Sequence, residues 1–336
     1  MPVELTTVAD DEAVFHDPDR PGWVGRHVGL VPDTGYELEG AAFRTLPRPG
    51  GERLSTLATV NDTHFGEVEC GLVEGLEIGP VLRAEPGEPP YPEVMNGEAV
   101  AEIEAAGVDA VIAKGDLTTK GTKEELDAFF ACYGRLGGLR AVLGNHDGYG
   151  GLVLDTPPYF TVEVPGLTVA VLDTVDPGRA QGRIGAEQLE WLDTVAAEAD
   201  GMVLVLGHHH CWDPGSRTRE PTYFGINPAD SERLVEVVAR RGSVVGYAAG
   251  HTHRNRVRRF AATGDVPWIE VSSVKDFPGG WAEYRVYEGG VLQVFRRVST
   301  PAALDWSDRT RAMFGGFYPQ YSFGRLEDRC FVLARR

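Results

Sequence analysis

The chain has 336 residues, 42% of them hydrophobic, and a formal net charge of -18 at pH 7. This length allows one large domain with an appendage, or two domains, with enough apolar residues for a sizeable core. The acidic balance disfavours nonspecific binding to nucleic acid, which needs a basic surface. No apolar run approaches the roughly 20 residues that span a bilayer, and the first residues do not resemble a signal peptide. The sequence therefore predicts a cytoplasmic protein without a membrane partner.

Residues 1–50 are rich in Gly, Pro and Asp and contain short β-like segments without helical periodicity. The stretch from Gly29 to Tyr36 resembles the end of a fibronectin type III-like module, where a tyrosine makes a corner contact. A complete module needs more residues than precede this stretch. We therefore predict a β-rich N-terminal appendage over residues 1–50, a truncated fibronectin III-like segment. The alternative is an irregular arm.

From residue 51 onward, short apolar runs alternate with segments of helical periodicity. The apolar runs predict strands over residues 54–60, 109–113, 139–143, 159–164, 167–172, 203–206 and 244–249. Helical periodicity predicts helices over residues 99–106, 123–136, 185–196 and 230–240. Mostly strands are predicted after these helices, over residues 255–260, 268–271, 281–287 and 291–297.

Two segments interrupt this alternation. Residues 66–97 are rich in Gly, Pro and Glu and predict a long surface loop. Residues 301–336 show no clear periodicity and are predicted to form a C-terminal tail that packs on the preceding domain. The sequence therefore predicts an α/β domain over residues 51–300, between the appendage and the tail.

Polar side chains follow five of the predicted strands, at the point where each strand ends. They supply carboxylate, amide and imidazole donors: Asp62 and His64, then Asp116, then Asn145 and His146, then the histidines at 208–210, then His251 and His253. Ligands of α/β sheets lie beyond the carboxyl ends of the strands. This donor set is too large for one tetrahedral ion, and it suits two ions of higher coordination that share a carboxylate.

Each of these residues also has an ordinary structural role available. Asp116 is placed to cap the following helix, and Asn145 is placed to occupy a left-handed turn beside Gly144. The histidines at 208–210 are compatible with a surface run, and His64 with a buried core position. Since these roles would have to coincide at five strand ends, we favour the metal site.

Five motifs resemble, in chain order, those of the calcineurin-like metallophosphoesterases: Asp62-Thr63-His64, Gly115-Asp116, Gly144-Asn145-His146-Asp147, the histidines at 208–210, and Gly250-His251-Thr252-His253. The resemblance covers residues from about 54 to 275. It is closest in motif to the class III cyclic nucleotide phosphodiesterases and the glycerophosphodiesterases. It implies the α/β metallophosphoesterase fold, a β-sandwich flanked by helices in four layers.

The resemblance also implies a dinuclear centre of divalent or trivalent ions, Fe, Mn or Zn. Three residues would hold one ion, three the other, and one would bridge them: Asp62, His64 and His253 for the first, Asn145, His208 and His251 for the second, and Asp116 between them. Within the histidine run, His209 stays open as the alternative ligand to His208. Otherwise His209 or His210 is expected to contact the substrate or to make a hydrogen bond that supports a metal ligand.

The implied activity is hydrolysis of a small phosphate ester, with diesters favoured over monoesters. A hydroxide that bridges the metals would attack phosphorus, while His146 acts as an acid or stabilises a phosphoryl oxygen. The alternatives are a phosphomonoesterase on the same site and a non-catalytic binding scaffold. Purple acid phosphatases carry a metal-binding tyrosine three residues after the Asp of Gly-Asp, where this chain has Thr119, so no tyrosine–iron site is expected.

The substrate pocket is predicted from composition and proximity to the motifs. Residues 148–184 and 211–227 flank the strand ends and contain aromatic and basic side chains. The candidates for substrate contact are Tyr149, Trp212, Arg217, Arg219 and Tyr223.

Overall fold

The computed structural model describes residues 3–73, 78–217 and 223–336. Its first part is a small β-structure of two pieces. Three antiparallel strands form one sheet and two more form a hairpin: β1 (Glu4–Val8), β2 (Glu12–His16), β3 (Val24–Val28), β4 (Gly35–Leu38) and β5 (Ala41–Arg44). The hydroxyl of Tyr36 accepts a hydrogen bond from the N–H of Val31 at 2.8 Å. The fibronectin-like origin of this segment stays a prediction.

Two six-stranded sheets follow. In spatial order the first contains β17 (Cys330–Ala334), β16 (Gly290–Arg297), β15 (Gly280–Tyr287), β6 (Arg53–Val60), β7 (Ala110–Lys114) and β8 (Leu139–Val142). In spatial order the second contains β13 (Arg256–Arg259), β14 (Pro267–Glu270), β12 (Val244–Ala249), β11 (Met202–Leu206), β10 (Leu167–Val171) and β9 (Phe160–Val164). The neighbours β6, β7 and β8 are parallel, and so are β10, β11, β12 and β14.

Eight α-helices accompany the sheets within the described residues: α1 (Tyr91–Ala106), α2 (Lys123–Tyr133), α3 (Asn145–Tyr149), α4 (Ala186–Glu198), α5 (Pro228–Arg240), α6 (Pro301–Arg309), α7 (Tyr318–Ser322) and α8 (Leu326–Arg329). Capping residues explain where several of these helices begin or end. Thr122 and Glu125 form a capping box that starts α2. Gly107 ends α1 in the left-handed conformation, with φ of 62°.

Alternating side chains of the strands build three apolar layers. Leu57 faces the opposite sheet, whereas its neighbour Ala58 faces α1, α2 and α6. On the second sheet, Leu204 faces inward and Val205 faces α4 and α5. Helices therefore cover the outer face of each sheet. The predicted fold, an α/β sandwich flanked by helices in four layers with a small N-terminal β-appendage, is confirmed.

A buried ion cluster joins the appendage to the first sheet. The guanidinium of Arg285, on β15, donates to Asp10 at 2.7 Å, to Asp11 at 2.7 Å and to Glu12 at 2.8 Å. Glu283 on the same strand accepts from Arg285 at 2.9 Å. A buried guanidinium needs such carboxylates because an unpaired charge in the interior is costly. The pairing orients the appendage on the strand that neighbours β6.

The structure corrects two sequence predictions. Helix α1 begins at Tyr91, inside the segment predicted as a loop, because Pro90 and Pro92 lie at the helix start, where proline is favoured. The segment from residue 301 contains three short helices and β17, which pairs with β16. This C-terminal segment therefore contributes an edge strand to the first sheet.

A helix that crosses a membrane must be both long and apolar. In the part of the chain that the structure describes, no helix combines the length and apolar character that a membrane span requires.

Candidate metal centre

The parallel strands of both sheets place their carboxyl ends at one end of the sandwich. From the first sheet, Asp62 and Asp116 follow β6 and β7, and Asn145 lies three residues after β8. From the second sheet, His208 follows β11 and His251 follows β12. The site therefore lies where the two sheets meet, and neither sheet supplies it alone.

The predicted donor atoms converge there. Within each of four groups, the ligand atoms lie within 4.8 Å of one another: Asp62, His64 and His253; His208, His209 and His251; Asp62, Asp116 and His208; and His64, Asp116 and His146. The third group joins the first two, since it shares Asp62 with one and His208 with the other. The result is one continuous cluster with two histidine-rich ends.

Strained backbone is concentrated in this cluster. Of the eight non-glycine residues with positive φ in the described chain, five are predicted ligands: Asp62 (53°), His64 (47°), Asp116 (50°), His251 (68°) and His253 (52°). Each such residue costs on the order of 1–3 kcal/mol, so the conformation persists only where the surrounding structure imposes it. These backbone conformations therefore lower the stability of the fold, but they direct the five side chains toward one point.

Two motif glycines allow the close approach of the strand ends. A Cβ at Gly144 would lie 2.2 Å from Oδ1 of Asp116. A Cβ at Gly250 would lie 2.7 Å from Oδ2 of Asp62. Any side chain at these positions would displace a carboxylate of the cluster, which explains why the motifs begin with glycine.

His208 lies between two oxygen donors. Its Nδ1 donates a hydrogen bond to the Lys114 carbonyl at 2.8 Å. This bond orients the ring, so a proton on Nε2 is not needed for that purpose. Its Nε2 is 3.2 Å from Oδ2 of Asp116 and 3.1 Å from Oδ1 of Asn145. Burial lowers the pKa of His208, but the carboxylates of Asp116 and Asp62 and the Lys114 carbonyl together outweigh burial and raise it to about 9. A metal ion in place of that proton would satisfy all three atoms.

The other end of the cluster contains imidazoles ready to bind a cation. Nε2 of His253 is 3.5 Å from Oδ1 of Asp62. Both ring nitrogens of His64 are buried without a hydrogen-bond partner in the described structure. Burial, followed by the neighbouring His146, holds the pKa of His64 well below its ordinary value, so the ring is neutral. Buried polar atoms are normally partnered, and a neutral imidazole is the form that binds metal.

His251 and His209 lie beside His208. Nε2 of His251 donates to the Phe224 carbonyl at 2.8 Å, which leaves Nδ1 as its donor atom. Burial, followed by the neighbouring His209, lowers the pKa of His251 well below its ordinary value. His209 is fully buried, and its Nδ1 is 2.8 Å from Oγ1 of Thr174. Nε2 of His209 has no partner among the described residues.

His146 occupies a different position from the other histidines. Its Nδ1 donates to the Thr119 carbonyl at 2.8 Å, and its backbone N–H donates to Oδ1 of Asp116 at 2.9 Å. The ring lies at an edge of the cluster, 4.6 Å from the ring of His64 between centroids. It is partly exposed and lines the adjoining cavity.

Sequence reasoning missed Asp276, which supports His253. Oδ2 of Asp276 is 3.1 Å from Nδ1 of His253, and Oδ1 accepts from the Tyr318 hydroxyl at 2.7 Å. Burial opposes ionisation, but Lys275 and His253 together lower the pKa of Asp276, so it is a carboxylate. In the sequence, Asp276 is part of a Lys-Asp pair shortly after an apolar run. Such a pair is common in proteins for reasons unrelated to metal binding.

The cavity beside the cluster differs from the predicted pocket. Its lining residues come mainly from outside the two segments predicted to form the pocket: residues 67–73, 251–253, 275–276 and 313–321. Of the five named candidates, Tyr149 accepts a hydrogen bond from Asn145 at 3.0 Å, and Tyr223 packs on His210. Trp212 is buried, and neither Trp212 nor Arg217 lines this cavity. Arg219 lies outside the described residues. Among the described residues of the two predicted segments, Phe224 is the one that lines this cavity, and the predicted substrate contacts stay predictions.

We expect Asp276→Asn to weaken metal binding about 10- to 100-fold, the range found when a residue that orients a metal-binding histidine is lost. The amide keeps the shape of the carboxylate but removes its charge from the Nδ1–H of His253. Titration of metal-free protein with Mn²⁺ by calorimetry measures the change. Asp265→Asn, at an exposed position, is the control. Equal affinities for the two variants would show that Asp276 does not support the centre.

The donor set fits divalent cations. It combines carboxylate and amide oxygens with imidazole nitrogens, and several of these ring nitrogens have no partner among the described residues. No thiol takes part, since the four cysteines are not members of these groups.

Comparison with known proteins gives related phosphodiesterases. A probable cyclic nucleotide phosphodiesterase from Synechococcus sp. is 26% identical over 158 residues, 44% of this chain and 58% of that protein. A cAMP/cGMP dual specificity phosphodiesterase from Mycobacterium tuberculosis is 34% identical over 136 residues, 33% of this chain and 41% of that protein. A probable glycerophosphodiester phosphodiesterase from Arcobacter nitrofigilis is 27% identical over 165 residues, 44% of this chain and 57% of that protein. The chain thus spans between 41% and 58% of the length of these relatives.

Structural and family comparisons agree with the motif resemblance. A dimetal phosphatase from Danio rerio superposes with a TM-score of 0.58 at 15% identity, covering 73% of this chain and 97% of that one, which shows a shared fold. The calcineurin-like phosphoesterase superfamily domain matches residues 94–269, more than half of the chain. The predicted resemblance is confirmed, and the chain belongs to the calcineurin-like phosphoesterase superfamily.

Proposed function

We propose that this chain is a phosphodiesterase that uses two metal ions. The observation that carries the proposal is the single cluster in which six predicted ligands from two sheets meet, with a histidine-rich group at each end and the seventh, Asn145, beside His208. A structural role does not require buried imidazoles without partners, whereas a metal centre does.

Each ion would be held by three residues of its own and by one shared carboxylate. The first would take Asp62, His64 and His253, the second would take Asn145, His208 and His251, and Asp116 would bridge them. The position of His208 supports this assignment, since its Nε2 faces both Asp116 and Asn145. His209 stays the alternative ligand, because its Nε2 lies in the same group. Iron, manganese and zinc all suit such a set of nitrogen and oxygen donors.

When bound, the ions would polarise a phosphoryl oxygen and supply a water of lowered pKa as the nucleophile. The carboxylates of Asp62 and Asp116 keep both ends of the site negative enough to attract cations. Against two divalent ions they leave a net positive centre, which can hold an anionic ester in a protein whose net charge is -18. The phosphoryl group would therefore be bound locally, against the overall charge of the chain.

His146 would contact the reacting group. Because its Nδ1 proton is donated to the Thr119 carbonyl, Nε2 is the atom directed away from that bond. Nε2 can donate to a phosphoryl oxygen or protonate the leaving group only when the ring carries both protons. A role as donor therefore requires the imidazolium form.

Two observations support diesters over monoesters. The three relatives described above are named as phosphodiesterases. A cavity of about 420 Å³ adjoins the cluster, and it offers room for an organic group besides the phosphoryl group. A phosphomonoesterase on the same site is the alternative activity. A non-catalytic scaffold is the alternative from another class, and the complete donor set and the presence of His146 argue against it.

The proposal is tested by the metal content and ester preference of the purified protein. With Mn²⁺ supplied, we expect about two ions per chain by elemental analysis, as in two-metal hydrolases. We also expect faster turnover of bis(p-nitrophenyl) phosphate than of p-nitrophenyl phosphate. Faster turnover of the monoester would overturn the diester preference. Absence of both metal binding and ester cleavage would favour the scaffold.

Two neighbouring variants serve as internal controls for the ligand assignment. His208→Ala should lose one ion and turnover, whereas His209→Ala should retain both if His208 is the ligand. The reverse result would transfer the role to His209. Circular dichroism of both metal-free variants checks that the fold is retained.

A further inference from the structure

The cavity beside the metal centre has two unlike sides. One side consists of His64, His146, His251 and His253. Another part of the lining comes from the segment after α6, and we call it the C-terminal wall: Met313, Phe314, Phe317, Tyr318 and Tyr321. The volume of about 420 Å³ lies within the range of small-molecule sites, roughly 300–1,000 Å³. An ester bound at the metals would therefore extend toward this wall.

The C-terminal wall is fixed relative to the centre. The Tyr318 hydroxyl donates to Asp276 at 2.7 Å, and Asp276 also contacts His253. The Tyr321 hydroxyl donates at 2.8 Å to the carbonyl of Thr252, which lies between two predicted ligands. Sδ of Met313 is 3.5 Å from Sγ of the buried Cys70. These contacts make the wall a preformed surface and reduce the entropy cost of holding a ligand.

Exposed apolar side chains surround the mouth of the same cavity. Phe317 is 56% exposed, Leu72 is 62% exposed, and Val73 and Phe224 are each 42% exposed. Single exposed apolar residues are normal on protein surfaces. Four of them at the rim of one cavity, continuous with aromatic walls, are typical of a surface that contacts an apolar ligand.

The cavity offers little to a second anionic group. Among the lining residues that the structure describes, Lys275 carries the one permanent positive charge. Its Nζ is 2.7 Å from Oε2 of Glu67 and 3.1 Å from Oδ2 of Asp276, so two carboxylates already neutralise it. Apart from the metals, a ligand in this cavity meets aromatic rings, apolar side chains and paired charges.

We propose that the cavity selects phosphodiesters whose organic group is uncharged and apolar or aromatic, and that Phe317 on the C-terminal wall is a specificity-determining residue. This inference rests on the proposed phosphodiesterase function. The phosphoryl group would lie at the metals and its organic group would pack on Phe317 and its neighbours. Aromatic packing and removal of apolar area from water would then supply the preference.

The test compares two diesters of equal charge, diphenyl phosphate and dimethyl phosphate, as competitors of the chromogenic substrate bis(p-nitrophenyl) phosphate. The first carries large aromatic groups and the second carries small methyl groups. In the Mn²⁺-loaded wild type we expect diphenyl phosphate to bind about tenfold or more tightly than dimethyl phosphate. Phe317→Ala should weaken diphenyl phosphate about fivefold and leave dimethyl phosphate unchanged. Because Phe317 is largely exposed, this variant should fold.

Phe130→Ala is the matched control, since Phe130 is also exposed, at 42%, but lies on α2 outside this cavity. It should leave both inhibition constants unchanged. The inference would be overturned if the enzyme hydrolyses the diester substrate but binds the two competitors equally. It would also be overturned if Phe317→Ala weakens the binding of both competitors equally. If neither metal binding nor hydrolysis occurs, the proposed function itself fails, and calorimetric binding of diphenyl phosphate still tests the cavity.

Discussion

Asp116→Asn is expected to lower kcat/KM for a diester by at least about 1,000-fold. This effect is larger than the one expected from removal of a single hydrogen-bond donor to the transition state. Asp116 is the proposed bridge between the ions, and its carboxylate lies 3.2 Å from His208 and 3.7 Å from His64. The amide is nearly the same size but carries no charge, so it cannot hold two cations together. Elemental analysis should find less metal per chain than in the wild type.

A second measurement on this variant does not depend on activity. Metal that binds only the folded state raises the melting temperature, and at a given metal concentration tighter binding raises it more. We expect Mn²⁺ to raise the Tm of the wild type and to leave that of Asp116→Asn nearly unchanged. Asp173→Asn, a partly buried carboxylate just after β10 that belongs to none of the ligand groups, is the control. A variant at Asp116 with full metal content and turnover would exclude it as the bridge.

His146→Gln should reduce kcat by about 100-fold or more, the range for loss of a general acid or base, while both metals stay bound. The ring of His146 is proposed to act on the phosphoryl or leaving group and not as a ligand. The backbone N–H that donates to Asp116 remains in the variant. Steady-state kinetics and elemental analysis of the same sample separate the two functions.

The leaving group distinguishes the two roles proposed for His146. If it protonates the leaving group, the deficit of His146→Gln should shrink for a good leaving group such as p-nitrophenolate. It should grow for an ester of a simple alcohol. A deficit that does not depend on the leaving group would indicate stabilisation of a phosphoryl oxygen. His64→Gln provides the contrast, since loss of a proposed ligand should reduce metal content. Loss of metal in His146→Gln would contradict the proposed role.

The matched family region divides the site. Residues 94–269 include Asp116, Asn145 and the histidines at 208, 251 and 253. Asp62 and His64 precede this region, and Asp276 and the C-terminal wall follow it. The segments outside the match complete the proposed first metal site and supply most of the cavity wall, which is where we place substrate preference.

The sequence by itself predicted the side chains that converge at one end of the sandwich. Each predicted ligand lies at or shortly after the end of an apolar strand, and parallel strands bring their carboxyl ends to one edge. The position of each residue relative to the preceding strand was therefore enough for this prediction, from Asp62 after β6 to His253 after β12. The strands and most helices followed for the same reason, since hydrophobic periodicity is a local property.

Only the tertiary structure decided which residues support and surround those donors. Asp276 contacts His253, and the C-terminal wall lines the same cavity as His146, although these segments are far apart in sequence. Their local sequences resemble ordinary loops and short helices, because nothing in the periodicity of residues 313–321 records what lies opposite them. The carboxyl ends of strands are specified by chain direction, whereas the walls of the cavity are specified by packing, and packing is determined only when the two sheets and the last helices come together.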